Sequence, residues 1–167
     1  MEMLDIYDSN GNKTGGQIVR GDKSVKLNAD EHIAVAVIFI ENSKGEFLIQ
    51  KSSVEKGSEY GTTGGHVDAG ETPFEAIKRE VKEELGINVD NEPIEDLGFL
   101  LYDLPIRYMY YLNKDIDIND IKVQAEEVEF VKYMTIDEIN EIIKSDLMTK
   151  SHAIQFNEMI KRKKLVR

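Results

Sequence analysis

The chain has 167 residues, 41% of them hydrophobic and none of them cysteine, and its formal net charge is -11. That size supports one substantial core, and the lack of thiols excludes disulfides, thiolate zinc sites and cysteine catalysis. So negative a surface repels nucleic-acid backbones and anionic membranes, so neither a nucleic-acid polymer nor a membrane is expected as a partner.

Residues 1–13 carry no basic stretch followed by an apolar one, so no signal peptide is expected. The longest apolar run, 33–40, is too short to span a bilayer, and a cytoplasmic location is the expectation. Residues 4–7 read as a short strand, 8–11 as a turn, and 17–20 as the returning strand. Residues 32–40 (HIAVAVIFI) are apolar on both faces, as a doubly covered central strand should be. A turn at 41–45 then returns 46–51 as its hairpin partner. Residues 52–61 form a polar stretch, expected to be a mobile loop.

The next helix has clear end signals: Thr72 as N-cap, Pro73 in the first turn, Glu75 completing a capping box, and Gly86 as the stop. Two strands, 94–104 and 106–112, hinge at 103–105, and 128–134 is a further strand. Thr135 and Glu138 repeat the capping signature and open a helix through about residue 144. A last helix covers about 151–164, with His152 expected on its exposed face and a basic end at 161–164 favoured by the helix dipole. No repeat or linker interrupts this order, which predicts one domain over 1–167 with a hairpin extension over about 1–30. The fold class is α/β (α+β): a mixed sheet covered on both faces by helices.

Residues 65–87 read GHVDAGETPFEAIKREVKEELGI, the pattern G-x5-E-x7-R-E-V-x-E-E-x-G-I. Gly64-Gly65 reads as a tight turn leading to the helix. On that helix Ile77, Val81 and Leu85 share one stripe, with Phe74 beside it, and should pack on the sheet. Glu80, Glu83 and Glu84 fill the neighbouring arc. Glu80 meets the other two at i+3 and i+4, where like charges each cost a few tenths of a kcal/mol, roughly. A hard dication such as Mg2+ or Mn2+ relieves that repulsion through oxygen ligands. Taken alone, REVKEELG is an ordinary solvated helix face with Glu75–Arg79 and Arg79–Glu83 ion pairs. Gly65, Glu71 and Gly86 at fixed offsets outweigh that reading.

With every defining position filled, this segment resembles the Nudix box. The resemblance implies an α/β/α sandwich and a hydrolase that cleaves the pyrophosphate bond of a nucleoside diphosphate linked to another moiety, using Mg2+ or Mn2+ and metal-activated water. It implies Glu80 and Glu84 as core metal ligands with Glu83 close behind, and the Gly65 carbonyl near the metal. Glu71 and Arg79 would pair to orient the helix. The base would be Glu80, Glu83 or an outside carboxylate among Glu126, Glu127 and Glu129, with Glu127 or Glu126 favoured.

The N-terminal half resembles Nudix enzymes with an added N-terminal hairpin, close to isopentenyl diphosphate isomerase. That isomerase needs a cysteine where this chain has Gly64, so its activity is not expected. His32 and His66 match two of its metal-binding histidines, without the third. On the substrate side, Tyr60 is placed to lean over the site, and Arg107, Tyr108 and Tyr110 on one strand could offer stacking and a phosphate contact; ordinary strand packing is the alternative for them. A nucleotide-binding module without turnover is the competing functional reading, opposed by the intact glutamate set. The expected partner is a small-molecule diphosphate of unspecified kind, and homodimers are frequent in the family.

Overall fold

Two apolar layers, one on each face of a central sheet, organise the fold; the computed structural model describes residues 2–165. Strand β4 (Ala34–Glu41) supplies both layers. Its Ala34, Ala36, Ile38 and Ile40 meet Ile77, Val81 and Leu85 of helix α1 (Pro73–Leu85). Its Val37 and Phe39 turn the other way, onto helices α2 (Ile136–Lys144) and α3 (Lys150–Lys163), where Phe156, Met159 and Ile160 are buried. Each such side chain, fully buried, contributes about 1.5–3 kcal/mol. The alternation of a strand thus serves two helical layers at once.

The main sheet runs in the order β10 (Val128–Thr135), β5 (Glu46–Ser52), β4, β9 (Ile106–Asn113), β8 (Glu95–Leu101). Strands β4 and β9 are parallel, while β10–β5 and β8–β9 are antiparallel, so the sheet is mixed. With α1 on one face and α2 and α3 on the other, the expected sandwich is the observed one.

Strands β1 (Met3–Asp8) and β2 (Lys13–Val19) form the expected N-terminal hairpin, and β1 also pairs with β3 (Glu31–His32). The hairpin is docked on the loop that leads into α1. Ala69 N–H donates to Met3 O (2.8 Å), Gly70 N–H to the Asp5 carboxylate (2.9 Å), and Lys13 Nζ to Glu71 O (2.9 Å). On its other side Tyr108 donates its hydroxyl to Gly11 O at 2.8 Å.

Four sequence expectations change. Strands β4 and β5 share a tight turn but register only at Glu41 and Phe47. They then part, because β7 (Thr63–His66) takes β4 from Val35 to Ile38 and β6 (Tyr60–Gly61) takes β5 at Gln50 and Lys51. Gly64 and Gly65 therefore lie in an extended strand rather than a tight turn. The polar stretch before them holds a 3-10 turn at Val54–Lys56 as well as β6.

His152, finally, is not an exposed helix residue. Its Nδ1 accepts the Thr62 N–H at 3.0 Å and also meets the Thr62 hydroxyl at 3.1 Å, clamping α3 to the segment between β6 and β7. Burial holds its pKa down at about 4, with the Arg107 charge adding to the effect. An unfolded histidine titrates near 6.5. Below that pH the unfolded chain takes up a proton that the folded chain refuses, so stability present above about 6.5 is lost as pH falls toward 4. The effect is bounded at about 3 kcal/mol, less what the solvent-touched edge of the ring recovers. Thermal unfolding from pH 7 to pH 4 should show a shallower loss of Tm in His152→Gln than in the wild type. Parallel curves would contradict this.

Candidate functional site

The site begins with two glycines whose missing side chains make room. A Cβ on Gly64 would overlap the Ala36 carbonyl and lie 2.9 Å from Val37 Cα. One on Gly65 would stand in the Glu80 carboxylate, 2.6 Å from its Cδ. Against this bare stretch of β7, α1 is set by its caps. The Thr72 hydroxyl accepts the Glu75 N–H (3.1 Å), Pro73 occupies the first turn, and Gly86, at φ 68°, closes the helix with its N–H on Lys82 O.

Arg79 is the hub. Its Nη2 and Nε donate to the two oxygens of Glu71 (2.6 and 3.2 Å), and Nη2 also reaches His66 O (3.0 Å). Its Nη1 donates to Glu80 (2.9 Å) and Glu83 (3.2 Å). The guanidinium thus ties the end of β7 and the loop after it to α1. The carboxylates, Glu71 foremost, raise the Arg79 pKa further above the range where it could lose its charge. The expected Glu71–Arg79 and Arg79–Glu83 pairs are formed.

Glu84 fills the gap that opens where β4 and β5 part. Its carboxylate accepts from Gly64 N–H (3.1 Å) and from the Gln50 amide (2.9 Å), while Thr63 donates its hydroxyl to the same amide's oxygen. Burial pushes the Glu84 carboxyl up to about 7 against these hydrogen bonds. Burial raises Glu80 as well, opposed by Arg79. Two desolvated carboxylates on one helix face are costly as anions without a cation nearby.

Glu80, Glu83 and Glu84 open with Gly65, Asp68 and Glu127 onto one polar cavity of about 310 Å³. Among the described residues no trio of His, Asp or Glu is already drawn together as a ligand cage. Here Glu80 and Glu83 are engaged by Arg79 and Glu84 by Gln50. The donors nevertheless suit a hard dication: carboxylate oxygens around a polar hollow, beside a glycine strand that leaves the space clear. These residues fit a divalent cation.

The other sequence candidates divide. Glu127 lines the cavity, with Lys56 Nζ 3.4 Å away, whereas Glu126 and Glu129 are exposed and Glu126 borders a separate hollow. His66 lines the cavity. His32 does not: it is buried between the Ser9 hydroxyl (2.8 Å) and Leu104 O (2.9 Å), holding the hairpin to the sheet. Tyr60 packs edge-on to Phe130 rather than leaning over the carboxylates. Tyr108 and Tyr110 face the α1 layer, packed against Tyr7 and Phe74 respectively. Arg107 points to the opposite face, its Nε on Tyr102 O at 3.0 Å. Sequence reasoning missed Arg20, Asp68 and Gln50. Arg20 is supplied by the far end of the hairpin, and no local pattern signals that it reaches the cavity.

The model of the family described as NUDIX domain matches residues 30–155. A protein of Listeria innocua described as an uncharacterized Nudix hydrolase is 32% identical over 139 residues, 81% of this chain and 80% of its own length. A Pseudomonas aeruginosa protein described as an NAD-capped RNA hydrolase is 26% identical over 66% of this chain and 39% of its own. A Deinococcus radiodurans crystal structure superposes with a TM-score of 0.79 at 23% identity, covering 96% of this chain and 98% of that one.

If Arg79 and Glu71 hold the loop to the helix, Glu71→Gln should lower stability by about 1–3 kcal/mol, the range for a charge-assisted hydrogen bond at a half-buried site. Urea unfolding would measure it. An unchanged midpoint would show that Glu71 orients nothing.

Proposed function

The chain belongs to the NUDIX domain family and is a Nudix hydrolase, and on that premise we propose that Glu80 and Glu84 seat a divalent cation for cleavage of a diphosphate. The supporting observation is the arrangement of buried Glu84 and half-buried Glu80, both desolvated, against the bare strand at Gly64 and Gly65, in one cavity with Glu127. The substrate class is a nucleoside diphosphate linked to another moiety, in keeping with the NAD-capped RNA hydrolase named among the relatives. A bound Mg2+ or Mn2+ supplies neutralisation of the diphosphate charge and Lewis acidity toward its oxygens. Glu80 and Glu84 would hold it, with Glu83 and Gly65 lining the same cavity.

The protein's own groups do the rest. Arg79 and Glu71 keep α1 and the glycine strand in register, so the carboxylates do not drift as charge enters. Glu127 faces the cavity free of Arg79 and of deep burial, which suits it to accept the proton of the attacking water. The oxygen of that water joins one phosphorus as the bridging P–O bond breaks, and the departing phosphate keeps the bond's electron pair. The net change is one water consumed and two phosphate products released.

Glu80→Gln should abolish turnover without unfolding the protein, and Glu127→Gln should lower kcat by about 100-fold, as loss of a general base does. The check is release of nucleoside monophosphate from a panel of nucleotide diphosphates with Mg2+ or Mn2+. Equal release in Glu80→Gln, or in the presence of chelator, would overturn the assignment.

A further inference from the structure

A second cavity, of about 460 Å³, adjoins the first, and the two share Arg20 and His66 as lining. Its character is opposite. Leu4, Ile18, Val25, Leu27, Ile33 and Leu104 form aliphatic walls, and the aromatic ring among the residues that line it is the His66 imidazole, shared with the polar cavity. Val25 and Leu104 leave 50% and 45% of their surface exposed at its mouth, an uncovered apolar patch beside a polar site. Lys23 and Lys26 line it too, so with Arg20 three cations gather here on a chain of net charge -11.

The N-terminal hairpin and the segment after it build most of this cavity, and the hairpin's docking on the loop at Ala69 and Gly70 holds the cavity next to the carboxylates. Arg20 stands at the junction, tethered by Glu2 at 2.8 Å. A phosphate chain lying over Glu80 and Glu84 would meet Arg20 where the polar cavity ends and the apolar one begins. Between the aliphatic walls a sugar would leave hydroxyls short of partners, since the cationic lining residues Arg20, Lys23 and Lys26 are exposed, and a nucleobase would find no Phe, Tyr or Trp ring to stack on. A hydrocarbon body would be matched.

We propose that this hairpin-built cavity receives the group esterified to the diphosphate, and that the group is the hydrocarbon part of an aliphatic alcohol, with Arg20 gripping the adjacent phosphate. The inference rests on the hydrolase reading above and names its substrate class: nucleoside diphosphate esters of aliphatic alcohols. Cleavage is the balanced hydrolysis already given, with the alkyl group leaving as its phosphate monoester.

The test is a series of methyl, butyl and hexyl esters of ADP, with ADP-ribose for comparison, in the presence of Mg2+ or Mn2+. KM should fall about fourfold per methylene buried while kcat holds steady. Leu27→Trp, which fills the cavity, and Val25→Asp, a change at its exposed mouth that spares the core, should each raise KM for the hexyl ester to that of the methyl ester. Arg20→Gln should raise KM for all three esters alike. A KM indifferent to chain length, a gradient that survives both cavity variants, or a higher kcat/KM for ADP-ribose than for the hexyl ester would overturn the proposal and leave the hydrolase reading standing. Should no ester be cleaved, that reading fails separately, and calorimetry with methyl and hexyl phosphate decides the cavity. Tighter hexyl binding that is lost in Leu27→Trp supports it, and equal binding overturns it.

Discussion

One guanidinium carries the architecture of the site. Arg79 binds Glu71 through both carboxylate oxygens, takes the His66 carbonyl, and shares its remaining donor between Glu80 and Glu83. A planar fork can satisfy a bidentate partner on one edge and others on the next, which a lysine ammonium cannot. Through it the glycine strand, the loop that follows and α1 become one rigid unit. Without it, Glu80 would be a half-solvated anion beside two others, free to turn out to water. The N-terminal hairpin braces the same loop from the opposite side through Ala69, Gly70 and Glu71.

The second constraint is the parting of β4 and β5. Had they zipped into a full hairpin, the sheet would leave no gap for Glu84. Instead β7 borders β4, β6 borders β5, and the Gly64 N–H and the Gln50 amide turn to the Glu84 carboxylate. A carboxylate so buried is raised toward neutrality, yet it is held by donors that favour its charge. That tension is what a dication would resolve, and it links the topology of the sheet to the chemistry of the pocket.

The helix and the placement of its carboxylates were legible in the sequence because their determinants are local. Thr72, Pro73 and Gly86 act within one turn, and the stripe of Ile77, Val81 and Leu85 is a matter of periodicity. The longer strands were legible for the same reason, whereas the short β3, β6 and β7 were not. What escaped depends on contacts distant in the chain. Nothing near residues 46–51 shows that β7 will displace them from β4, nor that Gly64 lies extended against Ala36. Tyr108 and Tyr110 have the composition of a nucleotide-stacking strand, but their parity on β9 turns them toward α1 and the hairpin. His152 looks like a surface helix residue until Thr62, 90 positions earlier, is brought to it. Arg20 was invisible as a site residue because only the docking of the hairpin delivers it.

Fold and chemistry meet in the claim that Glu80 and Glu84, presented by α1 against a glycine strand, form the seat of a divalent cation. Electron paramagnetic resonance of Mn2+ added to the wild type and to the Glu80→Gln/Glu84→Gln double variant measures that seat without reference to any substrate. The wild type should deplete the free-ion signal saturably, and the folded double variant should leave it intact. Equal depletion by both proteins, or none by the wild type, would contradict the account.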